Sequence, residues 1–421
     1  MQKIFYNIFT SLYPFIANLI SPFNPKAKKW VQGRNGLLQQ IEKKLQGNTA
    51  ETIWVHCASL GEFEQGRPLI EDLKKVYPSY KIVLTFFSPS GYEVQKKYAF
   101  ADYIFYLPMD SATNAKRFYD IIKPSLILFV KYEFWYHYLL QAQQRNIPLL
   151  LVSGIFRNSQ PFFKSYGGFH RKMLGAFTHF FVQNNESIEL LKSIQITNAS
   201  LSGDTRFDRV LQIAGNFTDI PDLKDFTANH TVIVAGSTWT EDDEELDHYS
   251  HIHTDYRFII APHDISEERI KECETLYKHA VRYSTYQQLL QSKVPLQEIN
   301  TIIIDNIGML SRLYKYATIC YVGGGFGGDG VHNVLEAAVY NKPVVFGPVY
   351  DKYFEAVELI DNGGAFTVDD ALELEQQLDE LFNDADTYKK ACDNAGNYVH
   401  EKSGATGNIM QYIYAKRLLT N

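Results

Sequence analysis

The feature that most constrains the fold is an alternation of short apolar runs with amphipathic stretches. From residue 51 onward the first half of the chain carries T-I-W-V-H-C-A, K-I-V-L-T-F-F, Y-I-F-Y-L-P, L-I-L-F-V and P-L-L-L-V-S. Residues 177–184 and 199–204 complete this series. Continuous apolar runs of this length are typical of strands buried on both faces of a parallel sheet. The alternation with helical patterns therefore predicts an α/β fold with a doubly wound parallel sheet.

A second series follows a mixed, polar stretch. It consists of T-V-I-V-A-G-S, Y-R-F-I-I-A-P, N-T-I-I-I-D, A-T-I-C-Y-V-G-G-G and K-P-V-V-F-G-P. A chain of 421 residues is long enough for two such domains. We predict an amino-terminal segment at 1–36, a Rossmann-like domain at 37–205, an interdomain helix and linker at 206–230, and a second Rossmann-like domain at 231–421. The last helix is a candidate to cross back to the first domain. Two such halves predict an enzyme with its site in the cleft between them.

Composition and cysteine spacing exclude several classes. The formal net charge of −7 disfavours a nucleic-acid binder, which needs a basic surface. The four cysteines lie far apart without a C-x-x-C pair, which disfavours a structural zinc or a disulfide framework and favours a reducing compartment. Cys57 is a candidate nucleophile by position, but burial inside a strand favours a packing role. No H-E-x-x-H or D-x-D cluster occurs, so no metal is predicted.

The amino terminus differs in character from the rest of the chain. Ile4 to Pro25 carries no charge and is rich in aromatic and aliphatic residues. The prolines and the lack of a small-residue cleavage site disfavour a signal peptide, and the polar residues disfavour a regular membrane span. An interfacial membrane anchor fits better, with a helix packed on the body of the protein as the alternative. The flanking basic residues that would meet anionic lipid are Lys3, Lys26, Lys28, Lys29 and Arg34.

Two carboxylates follow apolar runs of the first half. Glu62 follows the first run through the turn Ser59–Gly61, and Glu133 follows L-I-L-F-V. Ligands of open parallel sheets bind outside the carboxyl ends of the strands, where Glu62 would act as a general base on a hydroxyl. The alternative is a glutamate that satisfies the amino terminus of a helix. His56, inside the first run, is predicted to be a core histidine or one that supports the site.

Four turns rich in Gly, Ser or His follow runs of the second half, at 235–240, 261–264, 305–310 and 322–338. The last contains consecutive glycines that let the backbone approach a ligand, and a helix V-L-E-A-A-V-Y that we expect Asn333 to precede or open. A helix start attracts phosphate, and Glu336 would accept hydrogen bonds from ribose hydroxyls. An ordinary N-cap explains the same pair.

The turn sequences also narrow the ligand class. The chain lacks G-x-G-x-x-G in a first βα unit and lacks G-x-x-x-x-G-K-[ST], which disfavours NAD, FAD and Walker-type nucleotide binding. The phosphate of a nucleotide-sugar is the more natural ligand for these turns.

Taken in order, these motifs resemble the 3-deoxy-D-manno-octulosonic acid (Kdo) transferases of lipopolysaccharide synthesis. The resemblance spans most of the chain and is carried by W-V-H-C-A-S-L-G-E, T-F-F-S-P-S-G-Y-E, K-Y-E-F-W, S-G-D-T-R-F-D, A-G-S-T-W, G-M-L-S-R-L-Y, G-G-G-F-G-G-D-G-V-H-N-V-L-E-A-A and N-K-P-V-V-F-G-P. It implies a GT-B fold of two facing Rossmann-like domains, the first for the acceptor and the second for the donor. It further implies CMP-Kdo as donor, a lipid A precursor (lipid IVA) as acceptor, no metal or other cofactor, and a place on the cytoplasmic side of the inner membrane.

The resemblance also assigns residues. The family's S-x-G-E glutamate, its proposed base, falls on Glu62, which would take the proton of the acceptor hydroxyl in a single inverting displacement. Ser59, Gly61, Glu133 and Arg157 are candidates for the acceptor side or for supporting the base. The implied donor-binding residues are Ser237, Thr238, His263, Gly308, Met309, Leu310, Gly324, Asn333 and Glu336.

One departure from the family pattern stands out. Many members carry an Arg-His pair where this chain has A-P-H-D-I-S-E-E-R, so His263 is present without the adjacent arginine. Either His263 alone meets the donor phosphate, or a residue from elsewhere supplies the charge. Two rival functions remain open: another GT-B sugar-nucleotide enzyme, such as a UDP-sugar transferase or epimerase, and a non-catalytic, membrane-bound nucleotide-sugar binding protein.

Overall fold

The structure, a computed structural model, describes residues 2–292 and 299–420. The chain divides into two compact units. Unit 1 comprises the residues up to Arg209 together with those from Ser403 onward, and unit 2 comprises Val210–Lys402.

Unit 1 is built on a seven-stranded sheet in the order β3-β2-β1-β4-β5-β6-β7, and every strand pair in it is parallel. The strands are β1 (Thr52–Cys57), β2 (Lys81–Phe86), β3 (Tyr103–Tyr106), β4 (Pro124–Val130), β5 (Leu149–Gly154), β6 (His179–Val182) and β7 (Ala199–Leu201). The helices are α1 (Gln2–Ile20), α2 (Pro25–Gln32), α3 (Leu37–Leu45), α4 (Leu60–Val76), α5 (Pro89–Gln95), α6 (Ala112–Ile122), α7 (Tyr136–Gln144), α8 (Gly168–Leu174), α9 (Asn185–Ser193) and α10 (Thr205–Gly215), which crosses the unit boundary.

The central strand β1 shows why the apolar runs form this sheet. It lies between β2 and β4, with Trp54 opposite Val83 and Ile127. All six of its residues are buried, and its apolar residues alternate between two clusters on opposite faces of the sheet, with Trp54 on one face and Val55 on the other. A strand covered on both faces needs apolar side chains on both, which explains why a mainly apolar run forms it.

Unit 2 contains a second parallel sheet of seven strands, in the order β10-β11-β9-β8-β12-β13-β14. The strands are β8 (Val232–Thr238), β9 (Arg257–Pro262), β10 (Ala280–Arg282), β11 (Thr301–Ile303), β12 (Ile319–Val322), β13 (Val344–Phe346) and β14 (Ala365–Thr367). The helices are α11 (Pro221–Thr227), α12 (Thr240–Ile252), α13 (Glu267–Leu276), α14 (Tyr283–Ser292), α15 (Leu310–Leu313), α16 (Leu335–Ala338), α17 (Phe354–Asp361), α18 (Ala371–Asn383) and α19 (Ala385–Lys402). The chain then returns to unit 1 in α20 (Ala405–Ala415).

Each of the predicted runs forms a strand. The two strands that the sequence did not reveal, β10 and β14, have three residues each and lie at the edges of the second sheet. An edge strand is covered less completely and therefore needs no apolar run.

Helix α1 is fixed to unit 1 by polar contacts along one side. The Tyr6 hydroxyl donates to the buried carboxylate of Asp110, and that carboxylate also accepts the backbone N–H of His137 at 3.0 Å. The Asn7 amide oxygen lies 2.9 Å from His137 Nε2. The helix continues through Pro14 rather than ending there.

The opposite side of α1 is an apolar stripe exposed to solvent. Among the described residues, no helix is long and apolar enough to span a bilayer. Arg34 does not belong to the open basic surface, because its guanidinium lies 4.0 Å from the Trp30 ring and donates to the Leu107 carbonyl oxygen. The exposed apolar residues of α1 are Ile4, Phe5, Ile8, Phe9, Leu12, Phe15, Ile16, Leu19 and Ile20.

The four cysteines are free thiols, and none of them forms a disulfide. Cys57, Cys273 and Cys320 are buried, and Cys392 is partly buried. Burial raises the pKa of each of these thiols. The packing role predicted for Cys57 is confirmed, since it lies in β1 within an apolar cluster.

Candidate active site

The carboxyl ends of three neighbouring strands form the first candidate site, at one edge of the unit 1 sheet. Strand β4 lies between β1 and β5. Glu62 lies in the first turn of α4, which follows β1, while Glu133 and Arg157 follow β4 and β5. Arg157 is exposed, and its side chain donates to the Tyr132 hydroxyl. The structure therefore brings three residues predicted from separate motifs to the same sheet edge.

Glu62 makes the contacts of a glutamate at a helix start, and its role as a base stays a prediction. Its carboxylate accepts hydrogen bonds from the backbone N–H groups of Ala58 and Ser59, as an N3 glutamate does at a helix start. Burial, followed by the charge of Glu133, nevertheless raises the pKa of Glu62 to about 8. A carboxyl group with that pKa is a stronger base, once ionised, than an ordinary glutamate.

Glu133 is held in place by two donors. Its Oε2 accepts from the Trp135 indole N–H and lies 3.0 Å from His56 Nε2. The other imidazole nitrogen, Nδ1, lies 2.8 Å from the Thr85 hydroxyl oxygen. His56 is completely buried and supports the site, in agreement with its predicted role. The orientation of Glu133 toward Glu62 is thus set by residues of β1, β2 and the turn after β4.

Sequence reasoning missed Lys131 at this edge. Its positive charge acts against burial and Glu133 by lowering the pKa of Glu62. Its backbone adopts a left-handed conformation, with φ of 65°, immediately after β4. The available signal was its place two residues before Glu133 in F-V-K-Y-E.

The remaining candidates of this edge are Ser59 and Gly61. Ser59 occupies the N-cap of α4, but its hydroxyl makes no capping hydrogen bond. Gly61 is exposed, and an added Cβ would meet no atom within 4 Å. Neither residue is required by packing within the described part of unit 1.

The second candidate site lies at the carboxyl edge of the unit 2 sheet, where β8 is flanked by β9 and β12. Asp242, which the sequence did not single out, holds two of the turns together. Its buried carboxylate accepts the backbone N–H of Trp239 at 2.8 Å, the N–H of Gly324 at 2.8 Å and the Tyr321 hydroxyl at 2.9 Å. The N–H of Gly324 is therefore committed inside the protein, and this glycine shapes the loop with φ of +93°.

Three rings from the same turns meet beside this loop. The Trp239 and His263 ring centroids are 4.8 Å apart, and those of His263 and His332 are 4.4 Å apart with nearly parallel planes. The Trp239 indole N–H donates to His332 Nε2 at 3.1 Å. His263 is exposed, as a ligand-binding residue must be. His332 lies inside the motif G-D-G-V-H-N, where no residue pattern distinguishes it from its neighbours.

The predicted helix after the glycine run is shorter than expected. Helix α16 begins only at Leu335 and has four residues, so Asn333 lies two residues before it. Asn333 Nδ2 donates to Glu336 Oε1 at 3.0 Å, and its Oδ1 accepts the Leu335 N–H at 3.3 Å. The N-cap of α16 is Val334, and the hydrogen bond between Asn333 and Glu336 holds these two side chains together before a ligand binds.

The other predicted donor-side residues differ in accessibility. Thr238 is completely buried, whereas Ser237 is partly exposed in a left-handed conformation with φ of +57°. Gly308 is exposed with φ of +92°, Met309 is buried, and Leu310 opens α15. Of this group, Ser237 and Gly308 present accessible backbone, and Thr238 does not reach the surface of unit 2.

Residues 2–292 and 299–420 contain no group of three or more His, Cys, Asp or Glu side chains arranged to hold a metal ion.

Solved structures define the class to which the two sheets belong. The glycosyltransferase from Rickettsia africae superposes with a TM-score of 0.55 at 18% identity, over 89% of this chain and all of its own. The UDP-GlcNAc 2-epimerase from Neisseria meningitidis superposes with a TM-score of 0.61 at 17% identity, over 86% of this chain and all of its own. At such identities the likeness concerns the fold alone. The protein is an α/β protein with two parallel sheets that resembles GT-B glycosyltransferases.

Sequence comparison then shows which enzymes the chain is similar to. Residues 30–209 match the family described as 3-Deoxy-D-manno-octulosonic-acid transferase (kdotransferase). The 3-deoxy-D-manno-octulosonic acid transferase of Aquifex aeolicus is 28% identical over 347 residues, which cover 80% of this chain and 87% of that protein. Residues 30–209 therefore resemble the Kdo transferases in sequence, and the similarity to the Aquifex enzyme extends over most of the chain.

Proposed function

We propose that this protein transfers Kdo from CMP-Kdo to a lipid A precursor, lipid IVA, in lipopolysaccharide synthesis. Similarity to Kdo transferases supports the transfer of Kdo. The observation that carries the catalytic assignment is the Glu62 carboxyl group, which lies at the carboxyl edge of β1 beside Glu133 with its pKa raised to about 8. In this proposal unit 1 binds the acceptor and unit 2 binds the donor.

The proposed reaction is a single displacement. Ionised Glu62 accepts the proton of an acceptor hydroxyl as the hydroxyl oxygen forms a bond to the anomeric carbon of Kdo. The bond from that carbon to the phosphate oxygen breaks, and CMP leaves with the electron pair. Attack opposite the leaving group inverts the anomeric configuration. The protein's own groups carry the step, so the proposal requires no metal or other cofactor.

Unit 2 supplies the proposed contacts with the donor. Asn333 and Glu336, already hydrogen-bonded to each other, would hold the ribose or phosphate, and the exposed turn at Gly308 would meet the nucleotide. His263 would face the phosphate, because its exposed ring stands beside the glycine loop. Donors fixed before the reaction stabilise the charge that develops on the leaving phosphate.

Helix α1 supports a place at the cytoplasmic face of the inner membrane. Its apolar stripe points away from the polar contacts with Asp110 and His137, and lysines follow it at Lys26, Lys28 and Lys29. A helix of this pattern lies in the interfacial layer of a bilayer, with cations toward anionic headgroups. A lipid acceptor resides in that layer.

A donor and acceptor assay tests the proposal. Purified protein is incubated with CMP-Kdo and lipid IVA, and the product mass is measured; UDP-GlcNAc replaces CMP-Kdo in a parallel reaction. We expect Kdo addition only with CMP-Kdo, and a loss of at least roughly a hundredfold in rate for Glu62→Gln with donor binding retained. Turnover with UDP-GlcNAc alone would favour the other GT-B enzymes. Full activity of the Glu62→Gln variant would remove Glu62 from the mechanism.

A further inference from the structure

The cluster of Trp239, His263 and His332 in unit 2 contains a hydrogen-bond donor that has no part in the proposed function. His332 lies at the end of the glycine loop, where its backbone N–H donates to the Gly323 carbonyl oxygen at 3.0 Å. Its side chain stacks on His263 and accepts a hydrogen bond from Trp239. The three residues follow three adjacent strands, so the sheet itself sets their approach.

The hydrogen bond from Trp239 decides the tautomer of His332. An indole N–H only donates, so the His332 Nε2 atom must carry the lone pair that accepts it. A neutral imidazole with an unprotonated Nε2 has its proton on Nδ1. The Nδ1–H group of His332 is therefore a fixed donor.

Within the described ranges 2–292 and 299–420, no protein group accepts this proton, and the atom is not sealed from solvent. Such a donor beside a loop of glycines is available to a ligand. Its fixed direction lowers the conformational cost of binding.

Burial and the neighbouring His263 keep His332 neutral. They lower the pKa of His332 to about 4, against a smaller opposing effect of Asp329. The two rings are stacked at a centroid distance of 4.4 Å, where a charge on both rings would be repulsive. The pair thus offers one neutral N–H donor and one exposed imidazole ring.

We propose that His332 is a donor-binding residue of unit 2, whose Nδ1–H group donates to a phosphate oxygen of the nucleotide while His263 faces the same phosphate. This inference rests on the proposed function and refines it. The chain has no arginine adjacent to His263 in A-P-H-D. In this proposal, the phosphate contact that such an arginine would make comes instead from His332 in the glycine loop after β12.

Isothermal titration calorimetry on the full chain, with CMP and cytidine as the ligands, tests this assignment. His332→Phe keeps an aromatic ring in the stack but has no N–H. We expect it to weaken CMP binding roughly tenfold or more, the scale of a hydrogen bond to a charged group, while cytidine binding changes by less than about twofold. His332→Asn places an amide N–H near the position of Nδ1, and we expect it to recover part of the loss.

His253→Phe is the matched control. His253 also stacks on an aromatic ring, that of Tyr256, at a centroid distance of 4.7 Å, but it follows α12 and precedes β9, at the amino edge of the sheet. We expect this variant to bind CMP like the wild type. Circular dichroism verifies that each variant is folded; if His332→Phe is not, the comparison of His332→Asn with the wild type decides.

The possible outcomes distinguish a failure of the proposed CMP-Kdo donor from a failure of the role proposed for His332. Wild-type protein that does not bind CMP would contradict the proposed donor. Wild-type protein that binds CMP while His332→Phe binds it equally well would overturn the role of His332 alone and leave a packing role. Equal losses for CMP and cytidine would overturn it too, since the contact would then not involve phosphate.

Discussion

Glu62 is subject to opposing influences on its charge. Backbone N–H groups of Ala58 and Ser59 and the positive charge of Lys131 stabilise the ionised form, whereas burial and Glu133 stabilise the neutral form. Burial and the charge of Glu133 outweigh the stabilising groups, and the pKa of Glu62 is therefore raised to about 8. At neutral pH the carboxyl group is mostly protonated in the free protein, and the base required by the proposed mechanism is the minor form.

This balance predicts the pH dependence of the reaction. Deprotonation of Glu62 increases as the pH rises through its pKa, so kcat/KM should rise with pH and level off above about 8. The measurement is the rate of Kdo transfer at low donor concentration in buffers of constant ionic strength. A flat profile from pH 6 to 9 would be inconsistent with Glu62 as the titrating base.

Glu133→Gln tests the origin of the shift. The amide can still accept from His56 and Trp135 but carries no charge, so the pKa of Glu62 should fall and the rise in kcat/KM should move to lower pH. Glu64→Gln is the control, because Glu64 pairs with Arg67 and Arg209 and is not among the leading causes of the shift of Glu62. A shift of the pH profile of Glu133→Gln to higher pH would contradict the proposed electrostatic effect of Glu133 on Glu62.

At the scale of elements, the loop after β12 depends on Gly324. Its φ of +93° is unfavourable for other residues, and an added Cβ would lie 2.5 Å from the Gly330 carbonyl oxygen. We expect Gly324→Ala to destabilise unit 2 by about 1–3 kcal/mol and to weaken CMP binding. Gly328→Ala, where a Cβ meets no atom within 4 Å, should change neither. Urea unfolding and calorimetry provide both measurements.

Helix α1 allows a second test at this scale. Phe5 and Phe15 are 68% and 60% exposed, and we expect their joint replacement by Asp to reduce binding to vesicles that contain anionic lipid by at least roughly tenfold. Val76→Asp is the control, since Val76 is 47% exposed at the far end of α4. Flotation of the protein with vesicles is the assay. Equal flotation of the double variant and wild type would remove α1 as the anchor.

Strands that are buried on both faces of a sheet were predictable from the sequence, whereas partly exposed edge strands were not. Strand β1 is covered on both faces, and its sequence T-I-W-V-H-C shows it. Strand β10 at the edge of its sheet is only partly buried over Ala280–Arg282, so no apolar run marks it. The length of α16 also escaped prediction, because V-L-E-A-A-V-Y has a helical pattern but the chain leaves the helix after Ala338.

The sites follow the same division. The positions of Glu62 and His263 after their strands were predictable, since parallel topology places such turns at one edge. The raised pKa of Glu62 was not predictable, because its causes are the burial of Glu62 in the folded chain and the charge of Glu133, 71 positions further along the sequence. The contact between Trp239 and His332 was likewise hidden, because it joins turns after β8 and β12 that are adjacent only in the folded sheet.

At the scale of the whole molecule, the carboxy-terminal segment completes unit 1. Ile409 and Ile413 of α20 and Leu419 lie in the apolar cluster that contains Leu69 and Leu73 of α4. The sequence shows an apolar stripe in this helix but does not indicate which unit the stripe covers. Contacts between residues more than 300 positions apart therefore contribute to the core that positions α4, the helix that carries Glu62.

The burial of the cysteines has a practical consequence for spectroscopy. Maleimides and related reagents react with accessible thiolates, and the native thiols are shielded and have raised pKa values. One cysteine introduced at an exposed position in each unit, for example in place of Val76 and Leu372, should therefore be labelled well ahead of the native four. The wild-type framework is thus suited to fluorescence energy transfer between a dye on each unit, a direct measure of their separation during turnover, without prior removal of any native cysteine.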